Sequence, residues 1–218
     1  LAAVDQATDT PTNNFCTLNP LSKGPNVTLS EGNLKVAKAG VSYESCMATI
    51  MPESGRWYFE AKMTAGGAFN VSITKATQNG TVHAQVDAGR IAYSSNGNLY
   101  DDGGDPISDT GTTFTDDDII GVYLDLESST QAVHFHKNGS AIVSRNLGDS
   151  YSGYTGGWSP AFGLGGDTTS GEINFGSPMN TISSGNADAN GYGNFEHSPT
   201  ISSVNYYALN TKNLAEFG

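Results

Sequence analysis

The stretch Arg56–Met63 (RWYFEAKM) constrains this chain more than any other. Trp57, Phe59, Ala61 and Met63 alternate with Arg56, Tyr58, Glu60 and Lys62. A period of two puts successive side chains on opposite faces of a β-strand, so this reads as a strand packed on one side. Phe69–Thr74 repeats the pattern with Phe69, Val71 and Ile73 inward. Further short apolar runs occur at Val27–Leu29, Asn33–Val36, Cys46–Met51, Gly89–Tyr93, Asn98–Tyr100 and Ile119–Leu126, then at Ala132–His136, Ala141–Val143, Trp158–Leu164, Gly171–Phe175 and Tyr206–Leu209. Turn residues separate them, and Asn96–Gly97 and Asn138–Gly139 suit type I′ hairpins, whose two central residues both need positive φ. No stretch supports an amphipathic helix of three turns, and nothing repeats at a solenoid period. The pattern predicts an all-β fold with two antiparallel sheets packed as a sandwich.

At 218 residues the chain suits one such core, divided as an extended leading arm (1–21), the sandwich (22–180) and a loop-rich closing segment with a final strand (181–218). Ten Lys and Arg against 22 Asp and Glu leave a net charge of −12, which repels phosphate backbones and argues against nucleic acid as a partner. The acidity suits solubility at high local concentration. Cys16 and Cys46 lack metal-binding spacing and read as two buried reduced thiols, with a single bridge as the alternative. No run of 18 apolar residues is long enough for a membrane helix, and no charged, apolar leader opens the chain. Leu1 in place of an initiator Met, and a last stretch without a natural stop, read as a segment of a longer polypeptide. The Asn-x-Ser/Thr triplets at Asn26, Asn70, Asn79 and Asn138 are expected by chance in so polar a chain.

Four segments stand in a telling order: Gly55–Glu60 (GRWYFE), Asp118–Gly139 (DIIGVYLDLESSTQAVHFHKNG), Trp158–Gly163 (WSPAFG) and Ile173–Gly176 (INFG). Together they resemble the signature segments of SPRY domains. Asp9–Pro20 (DTPTNNFCTLNP) and Tyr206–Gly218 (YYALNTKNLAEFG) resemble the flanks of SPRY-type modules in large bacteriophage structural proteins. The resemblance implies a concanavalin-like jelly-roll sandwich in a virion fibre, spike or decoration protein. It also implies a non-enzymatic module that recognises a host-surface glycan or protein, or one that only packs against other virion subunits, as a homo-oligomer in either case.

SPRY recognition runs through loops at one end of the sandwich, and by residue order the resemblance points to three segments. These are Tyr100–Asp102, the 75–82 loop and Tyr151–Trp158, with Tyr100, Asp101, Asp102, Tyr151, Tyr154 and Trp158 as ligand-binding candidates. Aromatics beside carboxylates suit sugar stacking or a protein interface. Trp57 reads as a core anchor, and Trp158 as either core or exposed aromatic. Asp101, Asp102 and Asp105, spaced by glycines, are a weak calcium candidate and the only cofactor in view. Asp125 and Glu127 lie about 6–7 Å apart on an extended strand. A glycosidase would need such a pair, but the position before Ser128–Ser129 favours turn capping. Of His83, His134, His136 and His197, the second and third share a strand face without a third metal ligand. No Gly-x-Ser-x-Gly elbow supports a hydrolase. Gly121, inside a strand, marks a close approach to the backbone.

Overall fold

Alternation in Arg56–Met63 becomes a ten-residue strand at the centre of a sheet in the computed structural model, which describes residues 9–78, 89–102, 104–179 and 181–218. In chain order the strands are β1 (Leu18–Lys23), β2 (Val27–Ser30), β3 (Lys35–Ala39), β4 (Glu44–Ala48), β5 (Arg56–Ala65), β6 (Ala68–Lys75) and β7 (Arg90–Ser94). Next come β8 (Asn98–Asp101), β9 (Pro106–Asp109), β10 (Ile119–Asp125), β11 (Ala132–Lys137) and β12 (Ser140–Asn146). A one-turn helix, α1 (Gly148–Tyr151), leads to β13 (Trp158–Gly165) and β14 (Thr168–Asn174). The closing segment holds β15 (Asn186–Ala187), β16 (Asn194–Phe195), β17 (Thr200–Ile201), β18 (Val204–Asn205), β19 (Tyr207–Ala208) and α2 (Thr211–Phe217).

Seven strands form one antiparallel sheet in the order β1-β4-β13-β6-β7-β8-β9. The other sheet runs β12-β11-β10-β5-β14-β3-β2, and β19 lies parallel to β5, with Tyr207 opposite Trp57. Between the sheets sit Trp57, Phe59, Phe69, Phe162, Phe175 and Trp158, all buried. Phe59 meets Phe162 edge to face at 6.0 Å, one of several aromatic contacts that join the two layers. Cys16 and Cys46 are both free and buried in this core, and burial pushes their thiols up to about 11 and about 12. Both therefore stay protonated and unreactive at neutral pH. Among the described residues, no helix is long and apolar enough to cross a membrane.

The one-sided reading of β5 needs correction. Its inner residues are buried as the alternation requires, but Tyr58 and Glu60 on the outer face are also buried. The closing segment covers them. Phe195 packs edge to face on Tyr58 at 4.7 Å, Tyr206 on Tyr123 at 5.2 Å, and Tyr123 Oη donates to the Ser198 carbonyl at 2.7 Å. The leading arm joins this cover, because Cys16 N donates to the Leu209 carbonyl and Phe15 bridges Asn210. A strand pattern records side-chain polarity, and Tyr and Glu read as solvent-facing until a later segment supplies partners for them.

Turn chemistry divides in the same way. Asn138 (φ 49°) and Gly139 (φ 80°) form the two-residue type I′ hairpin read from the sequence. At Asn96–Gly97 only Gly97 has positive φ (91°), and its N–H donates to the Ser94 carbonyl. That hairpin uses a longer turn with glycine in the left-handed position instead of type I′. Ser202 (φ 49°) and Ser203 (φ 67°) join β17 to β18 in a two-residue turn without any glycine. Left-handed backbone costs an ordinary L-residue roughly 1–2 kcal/mol. Replacing Ser202–Ser203 with Asn-Gly should therefore raise stability by about 0.5–1 kcal/mol in urea unfolding. At Gly121 a Cβ would stand 2.7 Å from Tyr58 Oη and 3.1 Å from its ring. Gly121→Ala should accordingly cost about 1–3 kcal/mol by overpacking the outer cluster, read from the same experiment.

Candidate functional site

The end of β8 carries Tyr100 and Asp101, and the last turn of the β12–α1 segment brings Arg145, Asp149, Ser150 and Tyr151 to the same place. Arg145 Nε donates to Asp101 Oδ2 at 2.8 Å, its Nη2 to Ser150 Oγ at 3.0 Å, and its Nη1 lies 3.3 Å from Asp149. Ser150 Oγ also donates to Asp101. Tyr151 Oη donates to the Arg90 carbonyl at 2.7 Å and accepts from Asp102 N at 2.9 Å, which ties the α1 turn to the start of β7 and the end of β8. Burial raises the Tyr151 phenol to about 12, so it stays a donor at any physiological pH. Tyr151 and Tyr154 both meet Trp158 at 5.3 Å, and Lys75 Nζ lies over their rings at 4.7 and 5.1 Å. Tyr154 Oη donates to the Gly157 carbonyl and accepts from Ala76 N.

Five of the six candidates, Asp101, Asp102, Tyr151, Tyr154 and Trp158, thus converge at one end of the sandwich from two separate segments, but not all face solvent, and Tyr100 turns its hydroxyl to the β7–β8 hairpin instead. Trp158 is only 2% exposed and belongs to the core. It cannot stack on a ligand, and its part is to support the two tyrosines. Tyr100 is buried with its Oη accepting from Asn96 and Asn98, Tyr151 is buried, and Asp101 is committed to Arg145 and Ser150. Asp102 is exposed, with Tyr154, Lys75 and Arg145 half-buried beside it. Arg145 and Lys75, which form the polar rim, carried no local motif. Their placement depends on strand register, which sequence order does not reveal. In the 75–82 loop, residues 79–82 lie outside the described residues, as do His83 and Asn79.

The comparisons with known proteins identify the fold that holds this end together. A family model described as the SPRY domain matches residues 56–178, from β5 past β14. The chain belongs to the SPRY family. Among solved structures, the SPRY domain of human HERC1 is similar at 16% identity with a TM-score of 0.58, covering 75% of this chain and 99% of that one. A second human SPRY domain aligns at 17% identity and a TM-score of 0.53, covering 72% of this chain and 98% of its own. The TRIM65 PSpry domain aligns at 10% identity and 0.58, over 73% of this chain and 89% of its own. At these identities the likeness concerns the fold alone. No curated protein sequence matches the chain.

Within this SPRY sandwich the other polar candidates are engaged by neighbouring groups. Asp125 accepts from Ser128 N, Ser128 Oγ, Glu127 N and Arg56, and Glu127 pairs with the same guanidinium at 2.8 Å. Burial opposes ionisation of Asp125, but these donors outweigh it and hold the carboxyl below its usual range. The calcium reading of Asp101, Asp102 and Asp105 does not survive. Arg145 already neutralises Asp101, Asp102 Oδ1 accepts from Gly89 N, and among the described residues no three His, Cys, Asp or Glu side chains form a metal-ligand set.

His134 and His136 share the outer face of β11, where His136 rests 4.6 Å from the Tyr123 ring. Burial lowers both imidazole pKa values from 6.5, with His134 adding to the effect at His136. The folded state therefore binds protons less readily than the unfolded chain, and stability is lost as pH falls through the unfolded value. Glu60 acts oppositely, because burial raises its carboxyl and its contribution improves as pH falls. Glu60 is common to both proteins in a comparison of wild type with His134→Gln/His136→Gln. The double variant should lose less urea stability than wild type between pH 7 and pH 5.

Proposed function

We propose that this chain is a non-enzymatic recognition module that binds a host-surface glycan or protein, carried by a virion fibre or spike. The observation that supports it most is the convergence of Asp102, Arg145, Lys75 and Tyr154 at one end of the sandwich. Arg145 is held by Asp101 and Asp149, and Tyr154 by Ala76, Gly157 and Trp158, so neither side chain needs ordering when a ligand arrives. An aromatic edge beside a cation and a carboxylate suits sugar hydroxyls or a polar protein surface.

The virion setting rests on the resemblance of Asp9–Pro20 and Tyr206–Gly218 to the flanks of modules in phage structural proteins. Treating those flanks as one unit is supported by their contacts, since Phe15 and Cys16 pair with Asn210 and Leu209. In that setting the neighbours are other virion subunits, and a homo-oligomer is the natural form.

The test is binding of the folded protein to a glycan array and to intact candidate host cells. Asp102→Asn and Lys75→Ala change the rim without touching the core, unlike any substitution at Trp158. Each should weaken binding about tenfold, the loss of one charged contact worth about 1.4 kcal/mol. Undiminished binding by both variants would move the site away from this end. Failure of the wild type to bind anything would favour a packing or decoration role within the virion.

A further inference from the structure

A second feature lies on the other side of the molecule, where the closing segment leaves part of the outer face of the eight-stranded sheet open. Glu60 and Lys62 of β5, Ile119 of β10 and Glu172 of β14 form the floor of a cleft of about 130 Å³. Pro178, Met179, Ile182 and Glu196 wall it on the solvent side. Its volume is close to the cavity of about 150 Å³ that holds one benzene, so it admits a single side chain and not an oligosaccharide.

Its chemistry is mixed in a specific way. Ile119, Pro178, Met179 and Ile182 offer apolar contact to an aliphatic stem, and three carboxylates, Glu60, Glu172 and Glu196, surround it. Lys62 is paired with Asp117 at 2.8 Å and Lys35 with Glu172 at 3.4 Å. Leaving aside Glu60, which is buried and already accepts four donors, three carboxylates, Glu172, Glu196 and Asp117, face two ammonium ions, which leaves a local negative excess. The serines at 183 and 184 donate to Glu196 and hold its carboxyl at about 2, so it is ionised throughout the physiological range. A side chain with a methylene stem and a cationic head matches both features, because such side chains lay their stems on apolar surface and keep the charge at a polar rim. The net charge of −12 also draws cationic partners toward the chain.

From this complementarity we infer that the cleft is a docking site for a lysine or arginine side chain of a partner protein. Met179, Ile182 and Glu196 lie beyond the residues matched by the SPRY family, so the cleft has a floor within the SPRY match and a wall largely outside it. It is separate from the end-face site proposed above, and neither depends on the other.

The experiment is an amide NMR titration of the whole chain at 150 mM salt with acetyl-Gly-Lys-Gly-amide and acetyl-Gly-Arg-Gly-amide. Acetyl-Gly-norleucine-Gly-amide, which keeps the stem and lacks the charge, is the control. Saturable shifts are expected at Thr181, Ile182 and Glu196 with a millimolar dissociation constant, at least fivefold weaker for the norleucine peptide. Glu172→Gln should weaken the basic peptides at least threefold and leave the norleucine response unchanged. Met179→Trp, which fills the cleft, should abolish the shifts. Three results would overturn the inference: no saturable shift up to 50 mM, an equal response to norleucine, or shifts of equal size at distant acidic sites such as Asp149.

Discussion

A buried carboxylate on β5 is the constraint around which the unusual part of this molecule is arranged. Glu60 is nearly inaccessible to water, and a charge placed there must be met by donors or be abandoned. Four donors meet it: Tyr58 Oη at 2.9 Å, Asn174 Nδ2 at 3.2 Å, Glu196 N at 3.0 Å and His197 N at 2.7 Å. The first two come from the sheet itself. The last two come from the closing segment, which lies beyond the SPRY match. Burial still raises the carboxyl above its usual range, with the backbone donors pulling against it. Glu60 therefore acts as an anchor for the segment that buries it.

The closing segment has little regular structure, and its hydrogen bonding explains how it holds a shape. Backbone N–H groups need acceptors whether or not a ladder supplies them. Asp188 accepts from Tyr192 N and Gly193 N on one oxygen, and from Ala208 N and Asn213 Nδ2 on the other. Asn210 caps α2 through Asn213 N. Carboxylates and amides thus replace strand pairing, while Phe195 and Tyr206 supply the apolar contact. The same irregularity leaves the open cleft beside β14, since a regular strand laid along the sheet would have filled it.

At the end of the sandwich, charge and burial sort the candidate residues into supports and contacts. Asp101, Tyr151 and Trp158 give up their accessibility to place Arg145, Lys75 and Tyr154. Such a rigid backing would serve the proposed recognition role, because each mobile side chain that must be ordered on binding weakens a complex. The half-buried ion pair of Arg145 with Asp101 serves orientation more than stability, given the desolvation that offsets its attraction.

The strand alternation in β5 and β6 and the Asn138–Gly139 hairpin were legible because they depend on neighbours one to four residues away. So was the SPRY resemblance, whose segments keep their order along the chain. Other features were not: the burial of Tyr58 and Glu60, the core position of Trp158, the loss of a calcium geometry around Asp101, and the glycine-free turn at Ser202–Ser203. The first three depend on partners far along the chain, such as Phe195 for Tyr58 or Arg145 for Asp101, whereas the Ser202–Ser203 turn is local to β17 and β18 but carries no glycine to mark it. Period and turn chemistry are local properties, so the amino-acid order was enough to specify an all-β sandwich and its inward-facing residues. Which polar and aromatic residues stay exposed emerged with the folded packing, because solvent access is set by whichever distant segment comes to lie on top.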